Sequence, residues 1–193
     1  MKELALHILD IAQNSIRAGA GEIRISISES SADDLMTIVI SDDGKGMDQE
    51  TLQKAADPFF TSRKTRRVGL GLPLLSMNAS LSGGEMKITS SPGEGTAVTA
   101  AFRLSHIDRQ PVGDIGGTVS FLITANPAIN ITYSYSVDGQ SWGVTSHEIR
   151  EVLGATPITD LKVVKYLREM ITENTNELTN ARTDMINIRN LVI

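Results

Sequence analysis

Two polar residues near the N-terminus are the first candidates for chemistry. Asp10 and Asn14 are four positions apart, so in a helix both side chains project from one face within reach of a single ligand. An Asn amide oxygen suits Mg²⁺, and a carboxylate at position 10 suits orienting or deprotonating a water near a terminal phosphate. Arg17, one turn further, offers forked donors for phosphate. The alternative interpretation is a solvated helix face.

A glycine-rich turn, DDGKGM at residues 42–47, follows a predicted strand. Gly44 and Gly46 let the backbone approach a flat ligand closely. The carboxylate of Asp42 can accept a hydrogen bond from an exocyclic amine, which suits adenine recognition. Met47 would cover a face of the ring. By itself the motif is also compatible with a tight strand-to-helix turn.

A second glycine-rich segment, VGLGLP at residues 68–73, opens a predicted helix. Unpaired N–H groups at a helix N-terminus, with few side chains in the way, form a phosphate cradle. A basic cluster just before it would neutralise a polyphosphate, although such a cluster alone more often marks a solvated loop. The cradle comprises Gly69, Leu70, Gly71 and Leu72, and the basic cluster comprises Arg63, Lys64, Arg66 and Arg67.

The elements that must position these residues follow from hydrophobic periodicity and from turn and cap signals. Apolar residues at helical spacing predict helices, alternation and short apolar runs predict strands, and Thr145 begins a capping-box sequence. An Asp138-Gly139 pair predicts a hairpin turn. We predict helix 3–19, strands 22–28 and 35–40, helices 48–54 and 71–81, strands 86–91, 96–104, 118–124 and 129–137, a capped helix ending near 154, and a long helix from 161.

Composition limits the classes of protein to consider. The chain has 193 residues, a net charge of -5 and no Cys, which suits one domain, or one domain with an appendage, and excludes disulfides and thiolate chemistry. No apolar run is long enough for a membrane span, and charges interrupt the apolar N-terminus, so we expect a cytoplasmic protein without a secretory signal. A pI near 5.2 argues against nucleic-acid binding.

In this order and spacing, the motifs resemble those of the GHKL ATPases. This family has the Bergerat fold and includes the nucleotide-binding modules of histidine kinases, gyrase-type topoisomerases, mismatch-repair ATPases and anti-sigma-factor kinases. DIAQNS at 10–15 looks like the N box and DDGKGM like the G1 box. DPFFTSRK at 57–64 resembles the F box, VGLGLPLL at 68–75 the G2 box, and SSPGEGTAV at 90–98 the last glycine box. The resemblance covers residues 3–104.

The resemblance implies an α+β fold, a two-layer sandwich whose mixed sheet is covered on one face by helices, here with a small C-terminal α+β appendage. It implies ATP and Mg²⁺ as ligands, with Asp10 as the catalytic carboxylate and Asn14 as the metal ligand. Asp42 would read the adenine amine with support from the Thr96 hydroxyl. The other implied nucleotide-binding residues are Arg17, Gly44, Gly46, Met47, Arg63, Lys64, Gly69, Leu70, Gly71 and Leu72.

Departures from the family pattern define the expected subfamily. The predicted helix that carries the N box begins at residue 3, so we expect no preceding phospho-acceptor domain, and His7, His106 and His147 lack a recognisable acceptor context. Members that hydrolyse ATP usually have Glu where this chain has Asp10. The Asp side chain is one methylene shorter, and about 1 Å of misplacement can cost on the order of a hundredfold in rate. We therefore expect tight binding and slow turnover.

The C-terminal part matches no family by its motifs. We expect an ATP-binding domain over 1–104, a linker over 105–117 and an interaction module over 118–193. The last helix carries an apolar seam at spacings of three and four, which predicts a coiled coil that forms a homodimer through 161–193 or docks a partner. The alternatives are a frayed tail and a helix packed on its own domain. The seam comprises Val164, Leu167, Ile171, Asn174, Leu178, Ala181, Met185, Ile188 and Val192.

Three hypotheses for function follow. The first is an ATP-binding signalling protein of the kinase type, which hydrolyses ATP or transfers its phosphoryl group to an acceptor on a partner protein. The second is a nucleotide-gated protein-binding module with negligible catalysis. The third is an ATP-driven dimer clamp of the mismatch-repair type, against which the acidic pI and the lack of a recognisable transducer domain argue.

Overall fold

The computed structural model of the chain describes residues 2–55 and 71–191, and the side chains within them except for Lys54 and residues 183–191. Within these ranges, no helix combines the length and hydropathy that crossing a membrane requires. The helices are α1 Leu4–Arg17, α2 Gln49–Ala55, α3 Gly71–Leu81, α4 Ile115–Ala125, α5 Ser146–Leu153 and α6 Leu161–Leu191. The strands are β1 Glu22–Ser30, β2 Leu35–Asp42, β3 Met86–Ser91, β4 Gly95–Arg103, β5 Asn130–Val137 and β6 Gln140–Thr145.

The six strands form one mixed sheet in the order β3-β4-β2-β1-β5-β6. All neighbouring strands are antiparallel except β1 and β5, which are parallel. Alternate residues of the central strands are buried, for example Ile23, Ile25 and Ile27 on β1, so one face of the sheet carries the core. The predicted α+β class with helices against one sheet face is confirmed.

Helix α1 lies at the centre of the helical layer. Its apolar stripe, which includes Leu4, Ile8 and Ile11, is buried, and α3 and α4 both pack against it. The opposite side of α1 is polar, as the helical periodicity predicts. Because the buried stripe fixes α1 in the core, the polar side chains of α1 lie next to the end of β2.

One secondary-structure prediction in the C-terminal half is wrong. Residues 118–124 form part of helix α4 instead of a strand. Val119, Leu122 and Ile123 are buried at helical spacing, and the Asp114 side chain caps the helix by accepting a 2.8 Å hydrogen bond from the Gly117 N–H. A short apolar run satisfies both periodicities, and here the cap and the packing of α4 favour the helix.

The hairpin turn and the capping box are confirmed. Asp138 and Gly139, with φ of 49° and 86°, connect β5 to β6, so the second hairpin joins these strands. Thr145 begins α5, where its hydroxyl accepts from the Glu148 N–H at 3.1 Å and its own N–H donates to the Glu148 carboxylate at 3.0 Å. These two reciprocal bonds satisfy donors that the helix terminus would leave unpaired.

Strand β5 joins the two halves of the chain. It pairs in parallel with β1, in a register that places Ile23 opposite Ile131 and Ile27 opposite Tyr135. The segment between the halves is also attached to α1, because Leu4 N–H donates to the Pro111 carbonyl at 3.0 Å. The division into a domain over 1–104, a linker over 105–117 and a module over 118–193 stays a prediction. The strands before and after the linker belong to one sheet.

The long C-terminal helix is confirmed, and the first half of its seam packs within the chain. Leu167 and Ile171 are buried in the layer where α6 packs against α4. Ala181 is exposed, and the later seam residues lie outside the described side chains. The alternative of a helix packed on its own domain therefore holds for the first half, and the homodimer through 161–193 stays a prediction.

Two buried tyrosines predict how the fold responds to alkali. Burial raises the pKa of Tyr133 and Tyr135 well above the ordinary value. The unfolded chain therefore loses these protons first, near pH 10, so stability is complete below that pH and falls above it. We expect tyrosinate absorbance from both residues to rise together with the loss of far-UV circular dichroism. Ionisation of these two buried tyrosines before unfolding would contradict this.

Candidate functional site

The Asp42 carboxylate is held at the end of β2 by two donors. The Ser15 hydroxyl on α1 donates to Oδ2 at 2.6 Å, and the Gly44 N–H donates to Oδ1 at 3.0 Å. Ser15 is buried and Asp42 is half-buried. Each carboxylate oxygen has more than one lone pair, so the group keeps capacity to accept from a ligand amine. The Asp42 carboxylate is therefore a hydrogen-bond acceptor of fixed orientation beside the C-terminal half of α1.

The neighbouring Asp43 has a different role. Its Oδ1 accepts from the N–H groups of Gly21 and Glu22, both at 2.8 Å. These hydrogen bonds, that of Glu22 foremost, lower the pKa of Asp43 below the usual carboxyl range. Asp43 therefore fastens the turn between α1 and β1, whereas Asp42 faces α1.

The turn after Asp42 is fixed on both sides. The Lys45 N–H donates to the Ala18 carbonyl at 3.0 Å, and the Lys45 carbonyl accepts from the Gly93 N–H at 2.8 Å. Gly46 has a φ of 64°, and a Cβ there would lie 1.9 Å from the Ser91 carbonyl oxygen. Only glycine permits this close approach, which explains the second glycine of the DDGKGM motif.

Thr96 lies opposite Asp42 in the β2–β4 register, but it does not supply the hydroxyl that supports Asp42. Its Oγ1 lies 2.9 Å from Ser90 Oγ, and Ser90 also accepts from the Met47 N–H at 2.8 Å. The structure gives the supporting role to Ser15, because α1 packs over the end of β2 and brings that hydroxyl closer. Thr96 stays a predicted nucleotide contact.

Asp10 reaches the first residue of α3. A Cβ on Gly71 would lie 1.9 Å from Asp10 Oδ2, so the carboxylate occupies the space that a side chain at position 71 would need. Gly71 and Leu72 form the first turn of α3, where N–H groups lack helical partners. The predicted catalytic carboxylate and the described half of the predicted phosphate cradle are therefore adjacent.

Asn14 and Arg17 also lie together. An Arg17 guanidinium N–H donates to Asn14 Oδ1, the atom that the sequence assigns to Mg²⁺. Among the described residues, no cluster of three His, Asp or Glu side chains could hold a metal. An amide oxygen still suits Mg²⁺, which takes few protein ligands and completes its shell with phosphate oxygens and water. The residues present therefore fit a metal that arrives with a nucleotide.

A family model described as "Histidine kinase-, DNA gyrase B-, and HSP90-like ATPase" matches residues 2–106, more than half of the chain. The chain belongs to this ATPase family. The match begins before α1 and ends just beyond β4, so it includes Asp10, Asn14, Asp42 and Gly71. The predicted recognition is confirmed.

The chain has curated relatives, several of which are named as sensor or histidine kinases. It is 36% identical over 92 residues to the sensor protein kinase FleS of Pseudomonas aeruginosa, covering 48% of this chain and 23% of that protein. It is 35% identical over 112 residues to the signal transduction histidine-protein kinase AtoS of Escherichia coli, covering 58% and 18%. The "Non-motile and phage-resistance protein" of Caulobacter vibrioides is 30% identical over 116 residues, covering 55% and 14%. The matched region is thus under a quarter of each relative.

Solved structures extend the likeness in fold. The N-terminal domain of a DNA repair protein aligns with a TM-score of 0.55 and 17% identity, covering 82% of this chain and 59% of that one. The MutL ATPase domain of Aquifex aeolicus, complexed with ADP, aligns at 0.50 and 14%, covering 79% and 69%. This coverage exceeds what residues 2–106 supply, so the shared fold continues into the C-terminal half.

The predicted basic cluster and part of the cradle lie outside the described residues. Their roles stay predictions, and the residues concerned are Arg63, Lys64, Arg66, Arg67, Gly69 and Leu70. Two residues near the site were not assigned a role from the sequence. Ser15 is part of the N-box segment and could have been found from its position one residue after Asn14. His7 was interpreted as packed or solvated, and it is packed.

Proposed function

We propose that this chain is a signalling protein that binds Mg-ATP between α1, the turn at residues 42–47 and the first turn of α3. The observation that carries the proposal is the Asp42 carboxylate, which Ser15 and Gly44 hold with acceptor capacity to spare. An acceptor fixed in this way suits an exocyclic amine such as that of adenine. Gly46 and Met47 lie in the turn that would line the base, with Gly44 and Thr96 beside it.

The phosphates would extend from the base towards Asn14 and the start of α3. Mg²⁺ would supply charge neutralisation there, with Asn14 as its protein ligand, and Arg17 would transfer its donors from Asn14 to phosphate oxygens. The first-turn N–H groups at Gly71 and Leu72 would stabilise negative charge that develops on the terminal phosphate. Gly69, Leu70, Arg63 and Lys64 are proposed to complete this end.

Asp10 would orient the group that attacks the terminal phosphorus. In hydrolysis that group is water, and in transfer it is a nucleophilic side chain of a partner protein. In either case the bond from the terminal phosphorus to the bridging oxygen breaks and ADP leaves. His7 does not serve as the acceptor, because its ring is completely buried. Several relatives are named as protein kinases, which supports transfer to a protein side chain.

Replacing Asp10 by asparagine distinguishes a kinase-type protein, which turns over ATP, from a nucleotide-gated binding module with negligible catalysis. The amide keeps the shape but not the basicity of the carboxylate, so we expect turnover to fall on the order of a hundredfold while Mg-ATP affinity changes little. Binding is measured by titration calorimetry, and turnover by phosphate release over hours. Asp108→Asn, an exposed aspartate, is the matched control and should change neither.

Other results would redirect the proposal. Equal losses of binding and turnover in Asp10→Asn would remove Asp10 from a catalytic role. Binding without measurable turnover in the wild type would favour the nucleotide-gated module, in which ATP binding changes how the chain engages a partner. An ATP-dependent doubling of mass in solution would instead favour the dimer clamp.

A further inference from the structure

His7 is a buried polar residue for which the proposed chemistry has no use. It lies on α1, three positions before Asp10, with no exposed surface. Its Nε2 is 3.0 Å from Nδ2 of Asn78 on α3. An amide nitrogen only donates, so in this arrangement Nε2 accepts and the ring proton is on Nδ1. Burial lowers the pKa of His7, which agrees with a neutral ring.

Asn78 lies in the last turn of α3. Burial is the main cause of the lowered pKa of His7, and hydrogen bonding involving the Gln110 side chain and the Gly71 backbone partly opposes it. Asp10 packs against the same Gly71. His7 and Asp10, one turn apart on α1, therefore both lie against α3, and Asp10 lies against its first turn.

We infer that His7 is a positioning residue of the nucleotide site: through its hydrogen bond with Asn78 it sets where α3, and with it the first turn of that helix, lies relative to Asp10 and Asn14. The inference rests on the proposed function. The apolar packing that buries Leu75 on α3 is not directional. The hydrogen bond to Asn78 has a preferred geometry and defines that position.

The two ends of the site depend on different contacts. At the adenine end, Asp42 and the turn after it are held by Ser15, Ala18 and the β3–β4 hairpin. None of the hydrogen bonds that hold that end involves His7. At the phosphate end, the N–H groups of Gly71 and Leu72 move with α3. Loss of the His7 contact is therefore expected to weaken recognition of phosphate and to leave recognition of the base intact.

The test compares the affinities of adenosine and ADP by titration calorimetry in the wild type and in variants. A displaced first turn of α3 is expected to lose about one hydrogen bond to phosphate, which is worth about tenfold in affinity, so His7→Leu should bind ADP about tenfold more weakly and adenosine unchanged. His7→Gln offers a side-chain oxygen that accepts from Asn78, and it should recover most of the ADP affinity. Tyr135→Phe, which removes a buried hydrogen bond to Glu29 away from the site, is the matched control.

A second variant removes the same contact from the α3 side. Asn78→Ala keeps the histidine and should give the same selective loss of ADP affinity, which keeps the inference testable if His7→Leu does not fold. Equal losses for adenosine and ADP, or an unchanged ADP affinity in Asn78→Ala, would overturn the inference and leave the proposed function standing. A wild type that binds neither compound would overturn both.

Discussion

Asp42→Ala is expected to lower ATP affinity on the order of a hundredfold or more. A site that forms a hydrogen bond with its ligand binds that ligand much more weakly when the protein partner of the bond is removed. The carboxylate lies at the end of β2 rather than in the apolar core, and Ser15 can satisfy its hydroxyl with the Ile11 carbonyl, 3.4 Å away. The variant should therefore fold. Fluorescent-nucleotide binding measures the affinity, and thermal unfolding without nucleotide confirms the fold.

The adjacent aspartate is the matched control. Asp43→Ala removes the acceptor of the Gly21 and Glu22 N–H groups and should lower stability without a specific loss of nucleotide affinity. Because the folded-state pKa of Asp43 is lowered, its stabilising effect is present at neutral pH and disappears as the carboxylate is protonated in acid. The stability difference from the wild type should therefore shrink towards low pH. Wild-type ATP affinity in Asp42→Ala would refute its role in reading adenine.

Arg182→Met is expected to destabilise the fold by about 3–5 kcal/mol, the usual cost of leaving one member of a buried ion pair alone. The Glu29 side chain on β1 is 4% exposed and pairs with the Arg182 guanidinium from α6, while the Tyr135 hydroxyl donates to its other oxygen. Without the guanidinium, the Glu29 carboxylate remains buried, and the Tyr135 hydroxyl is its one other side-chain donor among the described residues. Urea unfolding followed by circular dichroism measures the loss.

A double-mutant cycle separates the pair from the packing of the long side chain. Glu29→Gln combined with Arg182→Met removes both charges and should cost much less than Arg182→Met alone. The control is Lys165→Met, which breaks the exposed Lys165–Glu169 pair at 3.7 Å and should change stability by about 0.5 kcal/mol or less. If Arg182→Met resembles Lys165→Met, the pair does not hold α6 to the sheet.

Much of the site could be predicted from the sequence because its requirements are local. Gly46 is needed where the backbone has a positive φ and approaches another carbonyl, and such a requirement appears directly as a glycine in a motif. Asp10 and Asn14 are brought together by helical spacing alone. The helices and strands up to residue 104 are also local, since each has a clear period or a clear stop signal, and their observed bounds lie within two residues of the predicted ones.

The tertiary structure decided the features that depend on distant partners. Residues 118–124 fit a strand or a helix by pattern, and the packing of α4 selected the helix. The parallel pairing of β5 with β1 and the contact of Arg182 with Glu29 join positions that are far apart in the chain. Ser15 instead of Thr96 supports Asp42 because α1 crosses the end of β2. Periodicity reports which side of an element is buried, but it carries no information about which element covers it.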